Sequence, residues 1–184
     1  MSTTVVIVII VVVLLGVLFA LFFNRLVRLR NEVEAGWANI DVQLKRRNDL
    51  IPNLVEAVKG YAAHERGLFE EVTQARAAVA GAGSPPATAA ASDALSGALG
   101  KLFAVAEAYP QLRASENFQE LQAELTDTED KIAAARRYYN SVVQTFNTAI
   151  QSFPGVLFAG PMGFRARQFF SADEPERAVP QVSV

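Results

Sequence analysis

The side chain best suited to acid–base chemistry in this sequence is His64, the only histidine among 184 residues. A di-iron centre in a helical bundle needs two Glu-x-x-His motifs, and a zinc protease needs His-Glu-x-x-His. His64 is followed by Glu65, but no second histidine follows and no glutamate stands three residues before it. The chain also has no cysteine to act as a nucleophile or thiolate ligand. We therefore expect a protein that is not an enzyme and that holds no metal or cofactor.

Polar side chains crowd the segment from Asp41 to Glu65, and a second set follows between residues 129 and 140. Two interpretations stay open. They are ordinary surface charges with partners four residues away, or some form a hydrogen-bonded network that fixes helix register or a partner-binding face. The candidate residues are Asp41, Gln43, Arg46, Arg47, Asp49, Asn53, Glu56, Lys59, His64, Glu65, Glu129, Arg136 and Asn140.

Residues 5–23 contain no charged or hydrogen-bonding side chain. A helix of that length covers about 28 Å, close to the hydrocarbon thickness of a bilayer. A cleaved signal peptide would have a positive N-terminal region and a small-x-small cleavage site, whereas this run begins after Ser2, Thr3 and Thr4 and ends in two phenylalanines. The sequence predicts a membrane-spanning helix over residues 5–23, with lipid as its partner.

The flanks of this segment predict its orientation. Arg25, Arg28 and Arg30 follow it directly, while no basic side chain precedes it. The positive-inside rule places residues 1–4 outside and the residues after Phe23 in the cytoplasm, as in a single-pass membrane protein. The net charge of −2, with acids and bases interspersed, argues against a nucleic-acid partner.

Beyond the anchor, apolar residues recur three and four positions apart over residues 33–44, 54–79, 95–109 and 118–149. This spacing predicts an all-α fold, with the transmembrane helix followed by an antiparallel four-helix bundle over residues 24–155. The first bundle helix is expected to continue from the anchor. Pro52 implies either a tight turn or a bend in one long helix. We favour the turn, because a helix running from the anchor past Val79 would have too few long partners.

Two further segments lie outside this pattern. Residues 81–86 are rich in Gly and Pro and predict a linker that continues as low-complexity sequence to about Ser92. Residues 156–170 are apolar but too short to span a membrane. They pack along the bundle, which we favour, dip into the lipid headgroups, or contact a neighbouring subunit. We expect the acidic tail, residues 171–184, to be disordered.

Two stretches resemble the LemA family beyond what periodicity explains. The first runs from Arg30 to Glu65 and includes Trp37, Ile40-Asp41-Val42-Gln43-Leu44-Lys45-Arg46-Arg47 and Asp49-Leu50-Ile51-Pro52-Asn53-Leu54-Val55-Glu56. The second includes Glu116-Asn117-Phe118, Leu121-Gln122, Glu129, Ile132-Ala133, Ala135-Arg136, Tyr139-Asn140 and Phe153-Pro154. The resemblance implies one N-terminal span, a cytoplasmic four-helix bundle and a turn near Pro52. It also implies a bacterial envelope protein, with membrane proteases or stress responses as a hint about partners, and it supplies no catalytic residues.

Together these features predict a membrane-anchored, non-enzymatic scaffold or adaptor that binds a protein partner or assembles with copies of itself. The alternative is a regulatory or sensor subunit of a membrane enzyme such as an envelope protease, with segment 41–65 as its docking face.

Overall fold

The computed structural model describes residues 2–171, which are mainly helical and include no strand. The predicted disordered tail lies, apart from Ser171, outside the described residues. The helices are α1 (Thr3–Lys59), α2 (Arg66–Gly81), α3 (Pro85–Glu107), α4 (Pro110–Arg113), α5 (Glu116–Gln151) and α6 (Gly155–Phe158). Among the described residues two compact units share α1 and α5: unit 1 contains residues 2–38 and 138–167, and unit 2 contains residues 39–137 and 168–171.

The predicted membrane span forms the N-terminal part of α1. Within residues 2–171, α1 is the one helix long and apolar enough to cross a membrane, and none of its most apolar window is buried. The apolar core helix of a water-soluble protein would instead be covered by other elements. Helical residues follow this segment without interruption, so the predicted continuity between the anchor and the next helix is confirmed.

The turn favoured near Pro52 does not form, because α1 continues through this residue to Lys59. Proline has no backbone N–H, so it leaves the carbonyl of Asn48, four residues earlier, without its usual helical donor. Arg76 of α2 takes over this role: its Nε donates to the Asn48 carbonyl oxygen at 2.8 Å. The chain turns later, through Gly60 to Glu65.

The connection between α2 and α3 is also shorter than predicted. It spans residues 82–84, and the Ala- and Ser-rich residues up to Ser92 are helical. Pro85 is the first residue of α3, a position where its missing N–H costs nothing and its fixed φ suits a helix. The Ser84 hydroxyl accepts a hydrogen bond from the Ala87 amide at 3.4 Å and caps the helix.

The core of unit 2 consists of aliphatic side chains from four helices. α1 contributes Ile40, Leu44, Ile51, Leu54 and Val58, α2 contributes Val72, α3 contributes Leu95, Leu99 and Leu102, and α5 contributes Leu125 and Ile132. α2 and α3 pack against each other along their lengths. The apolar spacing of three and four residues therefore marks the side chains that the helices bury.

Unit 1 contains most of the apolar C-terminal segment, which folds back along α1 and α5. The Phe158 ring meets Phe19 edge-on with 5.3 Å between ring centres. Phe164 is buried between Phe23, at 5.9 Å, and Phe146 of α5, at 6.4 Å. Of the placements weighed for residues 156–170, packing on the protein's own helices is thus present.

Candidate functional site

A buried polar network centred on Arg47 joins three helices of unit 2. Arg47 of α1 is 0% exposed. Its Nη1 donates to Glu129 Oε1 of α5 at 2.7 Å and to Ser96 Oγ of α3 at 3.1 Å. Its Nη2 donates to Ser92 Oγ at 2.9 Å. One guanidinium group therefore binds two facing helices at once.

The two charged groups of the network differ in burial. The Arg47 side chain is fully buried, whereas the Glu129 side chain is 40% exposed. A guanidinium cannot lose its proton to escape burial, so its charge must be compensated by the carboxylate and the two hydroxyls. Within residues 2–171, Arg47 Nε still lacks a hydrogen-bond acceptor, and so the compensation by these groups is incomplete. Such an arrangement selects one alignment of the helices, because sliding any of them would separate these groups.

The structure brings together only part of the predicted polar set. Arg46 lies 3.5 Å from Asp127 of α5, and Arg136 lies 3.5 Å from Asp93 of α3. Arg136 also stacks over the Phe170 ring, 5.6 Å from its centre. These pairs are exposed or half-buried and contribute less to stability than the Arg47 network.

The remaining candidates are mainly surface residues. Gln43 is half-buried in unit 2, and Asn140 is half-buried in unit 1, where it makes an interaction. Glu56 pairs with Lys59 at 3.6 Å on the surface of α1. The other exposed members are Asp41, Asp49 and Asn53 on α1, and His64 and Glu65 in the turn after it. The structure therefore places part of the set in contacts between helices and the rest on the surface.

Two serines of the network are not among the residues predicted from the sequence. Ser92 lies at the end of the expected low-complexity stretch and Ser96 in the helix predicted after it, and the two stand one helical turn apart on α3. The Ser96 hydroxyl donates to the Ser92 carbonyl oxygen at 3.1 Å, which leaves its oxygen free to accept from Arg47. The four-residue spacing of two serines in an alanine-rich helix was the available signal.

A second polar contact holds the C-terminal segment of unit 1. The Asn147 side chain donates from Nδ2 to the Arg167 carbonyl oxygen at 2.9 Å and accepts from the Arg167 amide at 2.8 Å. Arg167 in turn reaches Glu34 of α1 at 3.2 Å. An amide that pairs with both backbone groups of one residue satisfies them and fixes the position of that residue.

The pKa values of two side chains, Asp127 and Tyr139, differ from their ordinary values. A hydrogen bond from Lys131 holds the pKa of the Asp127 carboxyl below its usual value, with further lowering by the charges of Lys131 and Arg46. Burial raises the pKa of the Tyr139 phenol, against an opposing effect of the Arg167 charge.

Comparison with known proteins shows similarity along most of the chain. The sequence model described as "LemA family" matches residues 36–184. Protein LemA of Metamycoplasma hominis is 29% identical over 158 residues, which cover 84% of this chain and 71% of that protein.

The other relatives are magnetosome proteins. Magnetosome protein MamQ of Magnetospirillum gryphiswaldense is 29% identical over 174 residues, and magnetosome protein MamQ 2 of Paramagnetospirillum magneticum is 27% identical over the same length. Each alignment covers 80% of this chain but 64% of the relative, so the chain spans less than two thirds of these relatives' own length.

Proposed function

This chain belongs to the LemA family, and on that premise we propose that it is a membrane-anchored, non-enzymatic scaffold or adaptor. It presents an antiparallel four-helix bundle, formed by α1, α2, α3 and α5, at the inner face of the bacterial cytoplasmic membrane. There it assembles with copies of itself or with a protein partner. Support for the inner face comes from Arg25, Arg28 and Arg30, which directly follow the apolar segment.

The observation that carries this proposal is the uninterrupted course of α1. One helix includes the apolar segment, an exposed polar surface and Arg47, the residue that ties α1 to two other helices. A partner that binds the exposed surface of α1 is thereby linked to the membrane through a single element of secondary structure. The buried network keeps the surrounding helices in one register, as a binding surface of defined shape requires.

The test is the association state of the full-length chain in membranes. The protein has no cysteine, so Asn53→Cys, on the exposed face of α1, is a unique crosslinking site. The matched control is Gln122→Cys, which is exposed on α5. We expect one discrete crosslinked species at position 53 and none at position 122. A chain that stays monomeric at every concentration and yields no adduct from either position would refute the scaffold.

An exposed polar stripe on α1 favours the second candidate, a regulatory or sensor subunit of a membrane enzyme. Asp41, Lys45, Asp49, Asn53 and Glu56 are all exposed and follow one another three or four residues apart, so they share one helical face. This face carries acidic, basic and amide side chains, and none of them belongs to the Arg47 network. It is suited to a partner with complementary charges.

Charge reversal distinguishes this candidate from the scaffold. Glu56→Lys changes a side chain that is 78% exposed and pairs with Lys59 on the same helix, so helicity is expected to be unchanged. Glu120→Lys is the matched control on the exposed face of α5. Loss of a co-purifying membrane enzyme with Glu56→Lys alone supports the regulatory role. Equal recovery of that enzyme with both variants contradicts it.

A further inference from the structure

The apolar residues that follow α5 form an exposed patch in unit 1. Phe153 is 81% exposed, Val156 is 59% exposed and Leu157 is 58% exposed. Large apolar side chains are normally exposed singly, so three within five residues mark a surface that is covered by something other than water. Val156 and Leu157 are as exposed as Leu15 in the middle of the apolar part of α1, which is 59% exposed.

This patch lies beside the last turn of the apolar segment. Phe158 meets Phe19, and a side-chain carbon placed on Gly155 would come within 3.1 Å of the Phe22 ring. Phe164 meets Phe23, the final residue of the run. A helix rises about 1.5 Å per residue, so residues 19–23 occupy roughly the final 6 Å of the apolar segment. The patch is therefore level with the edge of the hydrocarbon layer that the anchor would cross.

Charged side chains border the same region on the side away from the anchor's apolar residues. Arg25, Arg28 and Arg165 are exposed, and Arg30 lies over the Phe164 ring, 5.7 Å from its centre. Apolar residues at the depth of the acyl chains, followed by arginines at the depth of the phosphates, are the pattern of an interfacial membrane element.

We propose that residues 153–158 form a second, monotopic membrane contact, in which Phe153, Val156 and Leu157 insert among lipid acyl chains beside the anchor. The inference rests on the proposed membrane anchor. Lipid is the occupant because the patch is continuous with the apolar surface of α1 through Phe19 and Phe22, so a bilayer that surrounds one covers the other. The chain would then enter the lipid twice: across it at the N-terminus and from one side near the C-terminus.

The experiment measures depth in full-length protein reconstituted in phosphatidylglycerol-containing nanodiscs. Single cysteines carry a nitroxide label, whose relaxation by oxygen reports lipid and whose relaxation by a water-soluble nickel chelate reports solvent. The test positions are Leu157→Cys and Val156→Cys. Leu15→Cys is the anchor control. Ser141→Cys is the aqueous control on α5, within one turn of Tyr138, which packs beside Gly36, about 20 Å along α1 from Phe23.

We expect the oxygen-to-nickel ratio at positions 156 and 157 to shift to the lipid side, toward the value at position 15 and away from that at position 141. Circular dichroism confirms that each labelled chain has the parent's helix content, and the second test position replaces the first if that chain fails to fold. Nickel access at both test positions, with position 15 in lipid, overturns the inference and leaves the anchor standing.

Two further outcomes also decide the matter. Dipolar broadening at position 157 that disappears on dilution with unlabelled protein means that a second copy covers the patch, which overturns the lipid contact. Nickel access at position 15 as well as position 157 refutes the anchor itself, and with it the proposed function.

Discussion

Removing the Glu129 carboxylate is expected to destabilise the protein more than removing the charge it pairs with. In Glu129→Ala the Arg47 guanidinium stays buried without a counter-charge. Breaking a buried ion pair from one side costs about 3–5 kcal/mol, and because Glu129 is 40% exposed, solvent screens the pair and we expect about 2–3 kcal/mol.

The opposite substitution, Arg47→Met, replaces the buried cation with a shorter, flexible apolar side chain. The half-exposed Glu129 can then be hydrated, and the Ser96 hydroxyl keeps its bond to the Ser92 carbonyl. Replacing a buried charge with a well-packed apolar group is often close to neutral, so we expect a loss of about 1 kcal/mol or less.

The assay is thermal unfolding of the full-length chain in detergent, followed by circular dichroism. For a domain of this size 1 kcal/mol shifts Tm by about 2–4 °C, so Glu129→Ala should lower Tm by about 4–12 °C and Arg47→Met by about 4 °C or less. Adding Glu129→Ala to Arg47→Met should lower Tm little further, because no buried charge is then left without a counter-charge. Glu120→Ala is the surface control and should leave Tm unchanged. A larger loss for Arg47→Met than for Glu129→Ala would refute the reasoning.

Three further predictions concern other contacts. Asn147→Ala removes both hydrogen bonds to the Arg167 backbone, so trypsin should cleave after Arg167 faster than in the parent chain, and equal rates would contradict the tether. Arg76→Ala leaves the Asn48 carbonyl without a donor and should lower the free energy of chemical unfolding by about 1 kcal/mol. This loss should disappear when Pro52 is replaced by alanine, because the residue-52 amide then donates to that carbonyl. Lys131 lowers the Asp127 pKa in the folded state, so this pKa should rise in Lys131→Met, as measured by carbon-13 NMR. A lowered folded pKa stabilises the protein above the unfolded pKa. The stabilisation from Asp127 is therefore lost as pH falls through the folded pKa.

The elements of this fold were largely predictable, and their ends were not. Apolar spacing identified the helices that became α3 and α5, since burial of one face gives a repeat that is visible in sequence, but the repeat over residues 54–79 spans the end of α1, the turn and α2. The turn predicted at Pro52 was wrong because the helix-breaking effect of proline is visible locally, whereas the donor that replaces its missing N–H comes from Arg76, on another helix. Pro85 misled in the opposite sense, because a proline that interrupts a helix is also suited to begin one.

The candidate site was predictable only as a group of residue types. A charged residue on an amphipathic helix can face water or a neighbouring helix. Arg47, which is fully buried, stands three residues after Leu44 and four before Ile51 and so keeps the spacing of the buried side chains, whereas Arg46 is exposed. The spacing does not say which groups compensate the buried charge. The partners of Arg47 are 45 to 82 residues away in the chain, so no local pattern pairs them.

By itself the sequence determined the all-helical class, the apolar N-terminal segment and the family, because each follows from composition, period or motif along the chain. The tertiary structure decided that α1 continues through Pro52, which groups pair with Arg47 and where the apolar residues after α5 lie. These outcomes depend on contacts between residues far apart in sequence. Burial removes water from such contacts, and the free energy of a charge or a phenyl ring then depends on which neighbours replace it.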